Sequence, residues 1–278
     1  MNFDKYVAAG NDFILFNGVN NDYEDHNKLA LKVCNRHFGI GADGMMIVES
    51  SNIADVKMLY YNSDGSQGEM CGNGIRAFTK YVYDHNIIEN KNISIETLAG
   101  VKYIDIVADE DNKADIIKVD MGYPIFEGRR IPINIHKEKI IEEIISVDGK
   151  DYIFSALTVG VPHVVIFIED IDELDINSLG RKIEEDPLFP KKTNVNFIKV
   201  IDKGNINIYT WERGAGRTLG CGTGSCASVV IGNILGKLQN RVNVNTEGGR
   251  LIVEINKDYR IFMIGDAVHV AKGEFLKR

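Results

Sequence analysis

The feature that most limits how this chain can fold is a long internal repeat. Gly10 in AAGNDFILF recurs as Gly160 in TVGVPHVVIF, Gly44 as Asn194, Asn62 as Glu212, and Cys71 in EMCGNGIRAF as Cys221 in LGCGTGSCAS, each 150 residues on. Thr97 and Gly100 recur as Thr246 and Gly249, 149 residues on. Landmarks held in register over this length imply two copies of one domain with a single-residue slip. Within each copy, stretches such as ISIET, INIYTW and VNVNT alternate or are β-branched, as strands are. GIRAFTKYVY places Ile75, Phe78 and Val82 at helical spacing, and SCASVVIGNILG is apolar nearly all round, as a buried helix is. The expected fold is therefore α/β, more narrowly α+β. It has two pseudo-symmetric domains, each a strongly curved sheet or barrel around a central helix, with the active site in the cleft between them. VDMGYPIFEGRRIP, residues 119–132, has the Gly, Pro and charge of a crossing, so the expected domains are 1–120 and 121–266. AVHVAKGEF reads as a last strand that returns 267–278 to the first domain.

Several function classes are excluded by composition. A net charge of −8 lacks the basic footprint of a nucleic-acid binder. The first residues carry acidic side chains without a long apolar core, so no secretory signal is expected, and no stretch reaches the length of a membrane span. Four cysteines in 278 residues are too few for a disulfide scaffold and lack the paired spacing of a zinc site, so no metal is expected. A cytoplasmic, reducing setting makes any thiol chemistry catalytic rather than structural. No phosphate-binding loop or dinucleotide fingerprint is present, and no cofactor is called for.

The repeated cysteines are the strongest chemical signal. Each precedes Gly-x-Gly at the start of a helix, where unpaired N–H groups and the helix dipole lower a thiol's pKa and attract a carboxylate. Two such thiols on opposite sides of one bound anion suit removal of a proton α to a carboxylate from one face and its return on the other. Cys34 and Cys226 read instead as small buried hydrophobes. His163 in GVPHVV has the context of a satisfied structural histidine. Glu212 and Arg213 end a strand before a Gly-rich turn leading to Cys221. They read either as a surface ion pair or as a carboxylate and guanidinium that grip an amino acid's ammonium and carboxylate. Asn11, Asn62 and Asn194 sit at turn-like positions, where Asn is common for backbone reasons, but they coincide with or adjoin repeat landmarks.

Taken together, GNDFI, YYNSDGS, MCGNGIRAF, GVPHVVIF, TNVNFI, WERGAG and TLGCGTGSCA resemble the diaminopimelate epimerase family, in the family's order and nearly end to end. The resemblance implies a pyridoxal-phosphate-independent isomerase that interconverts LL-2,6-diaminopimelate and meso-diaminopimelate, in lysine and peptidoglycan precursor synthesis. It implies that Cys71 and Cys221 are the two acid–base thiols, assisted by His163 and Glu212. Gly72, Asn73 and Gly74, with Gly222 and Thr223, would hold the reacting carboxylate. Asn11, Asn62, Asn194, Glu212 and Arg213 would bind the rest of the substrate. The expected partner is a small amino acid, with no nucleic acid or membrane, and a homodimer is the candidate assembly. The chain departs from the family at four places. Val161 stands where Asn is common and Gly44 where Gln is, Arg217 replaces an acid, and Val7-Ala8-Ala9 replaces a His-Gly. These bear on substrate identity rather than on the reacting-centre motifs, so a related racemase for another amino acid is the alternative. A redox or non-catalytic thiol protein is the rival from another class.

Overall fold

The computed structural model describes residues 1–276 except Asn20, Asp22, Glu24, Asp172 and Glu173. The chain divides into two compact units, Met1–Asp120 with Ile264–Arg278, and Met121–Met263. It is a mixed α/β protein with a large curved sheet and, among the described residues, four α-helices.

The first run of elements is β1 (Asn2–Ala8), β2 (Asn11–Asn17), α1 (His26–Val33), β3 (Gly44–Glu49), β4 (Val56–Asn62), β5 (Gln67–Gly68), α2 (Gly72–Asp84), β6 (Asn92–Thr97), β7 (Gly100–Ala108) and β8 (Ala114–Gly122). The second run opens with an additional strand, β9 (Ile140–Val147). It continues with β10 (Lys150–Val159), β11 (Val161–Phe167), α3 (Ile176–Glu184), β12 (Asn194–Asp202), β13 (Asn205–Glu212), β14 (Gly216–Thr218), α4 (Gly222–Ile234), β15 (Arg241–Thr246), β16 (Gly249–Ile255) and β17 (Ile261–Gly265). The chain closes with β18 (Val268–Glu274).

The repeat is written into the pairing. Strands β2 and β3 run parallel with Phe13 opposite Gly44, and β11 and β12 run parallel with His163 opposite Asn194. The short strands match as well: Tyr60 faces Gly68, and Thr210 faces Thr218. The single-residue slip lies in the turn after the central helix, residues 85–91 in one copy and 235–240 in the other. The outer helices α1 and α3 repeat too, each N-capped by an aspartate, Asp25 or Asp175.

α4 is buried because its sequence is apolar nearly all round, whereas α2 buries an apolar face and bonds its polar side chains Asn73, Arg76 and Lys80 to neighbouring groups. Ile75, Phe78 and Val82 on α2 are fully buried, as are Cys226, Ala227, Val229, Val230 and Ile231 on α4. The outer helices close the other face of each sheet. Leu29, Ala30 and Val33 of α1 pack on Ile14, Phe16, Met45 and Ile47, while Leu179 and Ile183 of α3 pack on Val195, Phe197 and Trp211.

One strand in each unit arrives out of repeat order. β18 pairs antiparallel with β1, opposing Lys272 to Asp4, and the register breaks between Lys5 and Tyr6. β9 pairs antiparallel with β10, opposing Glu143 to Phe154, and the register breaks at the matching place, between Phe154 and Ala156. So β9 does for the second unit what β18 does for the first, although one precedes its partner and the other ends the chain. No helix among the described residues is long and apolar enough to cross a membrane.

Candidate active site

Cys71 and Cys221 are the N-caps of α2 and α4, with extended backbones at φ −128°, ψ 123° and φ −113°, ψ 114°. That turn of the chain folds each side chain back over the first helical turn. Each Sγ then accepts the N–H of the glycine three residues on, Gly74 or Gly224, at 3.4 Å. The thiol thus takes the place that Ser or Asp holds at an ordinary N-cap. The glycines are needed for closeness. A Cβ on Gly74 would fall 2.1 Å from Met46 Cε, and one on Gly224 would fall 2.2 Å from Asn196 Oδ1.

Those two neighbours mark the main difference between the copies. Beneath Cys71 the strands supply Met46 and Phe13. At the matching places beneath Cys221 they supply Asn196 and His163, joined at 3.3 Å. Asn196 also donates to Val164 O at 3.0 Å and accepts from Thr210 Oγ1 at 3.3 Å. These contacts orient its amide so that its Nδ2–H points at His163 Nδ1, which leaves the ring proton on Nε2. His163 is fully buried, and its Nε2 has no partner among the described residues. Burial, with Arg213 nearby, holds its pKa down at about 3, so the ring is neutral.

In the first unit two of the expected residues, Asn11 and Asn73, stand in a chain of oriented side chains. Arg76 Nη2 donates to Asn73 Oδ1 at 3.1 Å, Asn73 Nδ2 to Asn11 Oδ1 at 2.6 Å, and Asn11 Nδ2 to Asp43 Oδ2 at 3.1 Å. Asp43 and Asp12 share Arg36, at 2.8 and 2.7 Å, and Lys5 reaches Asp12 at 2.8 Å. Burial would push the Asp12 carboxyl up, but hydrogen bonds from Arg36 and Lys5 outweigh it and hold the pKa at about 2. Asn62 lies elsewhere in this unit. It accepts from Tyr60 Oη at 2.7 Å and donates to Ser66 at 3.0 Å. Tyr60 also accounts for Gly44, since a Cβ there would fall 2.6 Å from Tyr60 Cε2.

In the second unit Cys221 is buried, touches Thr223 Oγ1 at 3.4 Å, and lies within hydrogen-bonding reach of the Glu212 carboxylate. Glu212 also accepts from Thr218 Oγ1 at 2.6 Å. Cys221 departs from the expectation that a helix N-terminus lowers its pKa. Burial pushes it well above the ordinary value, and the negative Glu212 pushes the same way; Thr223 and the Gly224 N–H oppose them without prevailing. Of the two groups expected to tune the thiols, Glu212 reaches Cys221, whereas His163 is bonded to Asn196. Asn194 ties the strand ends together, donating to Pro162 O at 2.9 Å and accepting from Arg213 N at 2.9 Å. The Arg213 guanidinium donates to Lys191 O at 3.3 Å. Arg217, the acid-to-base departure, is matched by Glu247 through two hydrogen bonds of 2.7 and 3.1 Å.

Three supporting residues escaped the sequence reading: Arg76, Asn196 and Glu184. Glu184 is buried and accepts from Trp211 Nε1 at 2.7 Å and Gly214 N at 3.0 Å, with Lys192 at 3.4 Å. It thereby pins both sides of the Glu212-Arg213 turn. Each of the three sits opposite a residue of contrary polarity in the other copy, namely Cys226, Met46 and Cys34. That mismatch is the signal that would have found them. Cys34 is buried and its thiol is pushed up to about 12, chiefly by burial, which suits a packing role. Among the described residues no group of three or more His, Cys, Asp or Glu side chains could hold a metal ion.

The geometry has counterparts in known proteins. The family model described as diaminopimelate epimerase matches residues 3–127 and 155–270. A diaminopimelate epimerase of Caldanaerobacter subterraneus subsp. tengcongensis is 47% identical over 274 residues, covering 99% of each chain. One from Methanococcus maripaludis is 42% identical over 275 residues, again covering 99% of each. Among solved structures, a PhzF-family phenazine biosynthesis protein of Bacillus anthracis superposes with a TM-score of 0.71 at 18% identity, covering 100% of this chain and 99% of that one. A hydroxyproline epimerase of Agrobacterium vitis does so at 0.72 and 13% identity, covering 98% and 91%. At those identities the likeness is one of fold.

Proposed function

The chain belongs to the diaminopimelate epimerase family, and from that premise we propose that it interconverts LL-2,6-diaminopimelate and meso-diaminopimelate in lysine and peptidoglycan precursor synthesis. The observation that carries the reading is the matched pair of cysteine N-caps on two buried helices. In the proposed mechanism one of these cysteines, as thiolate, takes the α-proton, and the other, as thiol, returns a proton to the opposite face. The chemistry requires the two sulfurs to face opposite sides of one α-carbon. The charge that builds up at that carbon spreads into the substrate carboxylate. Backbone N–H groups at Gly72, Asn73 and Gly74, and at Gly222 and Thr223, are assigned to stabilise it, the Gly74 N–H being shared with Cys71 Sγ. Asn11, Asn62, Asn194, Glu212 and Arg213 are assigned to the remainder of the substrate. Glu212 also receives the proton of Cys221 when that thiol must ionise. The neutral His163 offers an Nε2–H donor rather than a charge. The reading needs no pyridoxal phosphate, and it places the enzyme in the cytoplasm as a homodimer, which light scattering would read as twice the chain mass.

Proton NMR in D₂O under reducing conditions tests this. LL-diaminopimelate should lose its α-proton signal as the meso form appears, while a panel of proteinogenic amino acids stays unchanged. The second reading, a racemase for another amino acid, is favoured by Val161, which puts an apolar side chain where the repeat has Asn11. Exchange confined to a different amino acid would establish it.

A further inference from the structure

The two thiols are matched in position but not in charge environment. On α2 the residue five beyond the cysteine is Arg76; on α4 it is Cys226. Arg76 is completely buried, and its guanidinium lies against the first turn of the helix that Cys71 caps. Nη1 donates to Gly72 O at 3.2 Å, Nη2 to Asn73 Oδ1 at 3.1 Å, and Nε to Asp266 O at 3.2 Å. A permanent cation in a poorly solvated place favours a nearby anion more strongly than the same cation in water would. It adds to the positive end of the helix dipole, which both helices share. At Cys221 the added charge has the other sign, since Glu212 lies within hydrogen-bonding reach of the thiol.

The other ionisable groups do not cancel this contrast. In the first unit Lys5, Asp12, Arg36 and Asp43 form a group of two cations and two anions, linked to the helix end through Asn11 and Asn73. Asp64 and Glu69 on the approach to Cys71 are exposed. In the second unit His163 is neutral, Arg213 turns its guanidinium to Lys191 O, and Glu184 is engaged by Trp211, Gly214 and Lys192.

We propose that Arg76 is a positioning residue that makes the ligand-free enzyme asymmetric, with Cys71 resting as thiolate and Cys221 as thiol. This rests on the reading of both cysteines as the acid–base pair. It commits the resting enzyme to one direction. Cys71 removes a proton from the first substrate bound, Cys221 supplies one to the other face, and the enzyme is left with Cys71 protonated and Cys221 ionised. The proton held by Cys71 and that missing from Cys221 must then be exchanged, with Glu212 the adjacent group for the second. No oxidant or added reagent enters the balance.

The test is site-resolved alkylation of ligand-free, reduced enzyme with iodoacetamide across pH, read by peptide mass spectrometry. The pH midpoint of each cysteine's rate reads ionisation, whereas the plateau rate absorbs differences in access. Cys71 should show the lower midpoint by at least about one pH unit, a tenfold rate difference at a fixed pH below both. Arg76→Met should slow Cys71 about tenfold at neutral pH and leave the Cys221 midpoint in place. Glu212→Gln should do the converse, lowering the Cys221 midpoint alone. The wild-type comparison stands even where Arg76→Met fails to fold. Equal midpoints, a lower midpoint at Cys221, or an Arg76→Met change that moves both cysteines together would overturn the proposal. If the midpoints coincide while diaminopimelate still exchanges its α-proton, the asymmetry fails and the epimerase reading survives. If they separate but no amino acid exchanges, the reverse holds.

Discussion

The two thiols differ in the side chains that surround them, Met46, Phe13 and Arg76 in one copy against Asn196, His163 and Cys226 in the other. Replacing Cys71 or Cys221 with Ala is expected to cut epimerisation by at least about a hundredfold, the usual loss when a positioned acid or base is removed. α-Proton exchange from one face should persist, so deuterium uptake measured beside stereochemical inversion distinguishes a lost base from a lost fold. The glycines offer a second check. Gly224→Ala forces a methyl against the Asn196 amide, which is fixed by Val164, Thr210 and His163, and should cost about 1–3 kcal/mol in denaturant unfolding. Gly74→Ala meets chiefly the end of the flexible Met46 side chain, with Cys71 Cβ at 3.1 Å and Phe13 Cε1 at 3.4 Å, and should cost less. Both cysteines and most of their neighbours could be read directly from the motifs. What could not be read was the polarity beneath them. The motif CGNG or CGTG fixes the helix start, but the strand residue that presses on it comes from elsewhere in the chain. Nothing local says whether that residue is Met46 or Asn196. The upward shift of Cys221 escaped for the same reason, because burial is a property of packing.

Elements hold these residues through side chains that turn inward at strand and helix ends. Glu184, on the last turn of α3, anchors the turn that follows β13. Burial would raise its pKa, but the donors Trp211 and Gly214 and the Lys192 charge outweigh it, so the folded carboxyl titrates below its ordinary value. A depressed native pKa adds stability that is present above the unfolded value of about 4.3 and is lost as pH falls through the native one. Glu184→Gln should therefore flatten the acid limb of the stability–pH curve, with little change in that limb's shape when the exposed Glu185 is replaced instead. At the other end of the same helix, Asp175→Ala removes an N-cap bond to Ser178 and should cost about 1 kcal/mol, measured by thermal melting. The central helices were legible because α4 is an almost wholly apolar run and Ile75, Phe78 and Val82 of α2 recur at helical spacing. The aspartate caps were equally legible at the same spacing as the cysteines, in DHNKLALKV and DINSLGRKI.

At the scale of the whole molecule, the repeat was readable in its period and its slip, and AVHVAKGEF was readable as a strand returning to the first unit, but β9 was not. β9 and β18 share no obvious motif, because an edge strand is specified by its partner's open hydrogen-bonding row more than by its own side chains. All seven residues of β18 are exposed, so its place is held by pairing with β1 rather than by burial. A chain ending at Met263 should lose cooperative melting in the first unit, followed by near-ultraviolet circular dichroism. Met1 and Phe275 already exchange backbone hydrogen bonds of 2.9 and 2.8 Å. A permutant that joins residue 276 to Met1 and opens the hairpin turn at Gly149 should therefore melt like the parent.

The late arrival of β18 also sets a timetable on the ribosome. Residues 121–263 are contiguous and can close as they emerge, but the unit begun first waits for the final strand. At about 5–20 residues per second, the remaining translation takes roughly 8 to 30 seconds. Throughout that interval β1 presents an open edge, so a stalled or prematurely released chain carries an unpaired strand near its first residue. Until β18 arrives, that edge is a template on which another chain can pair.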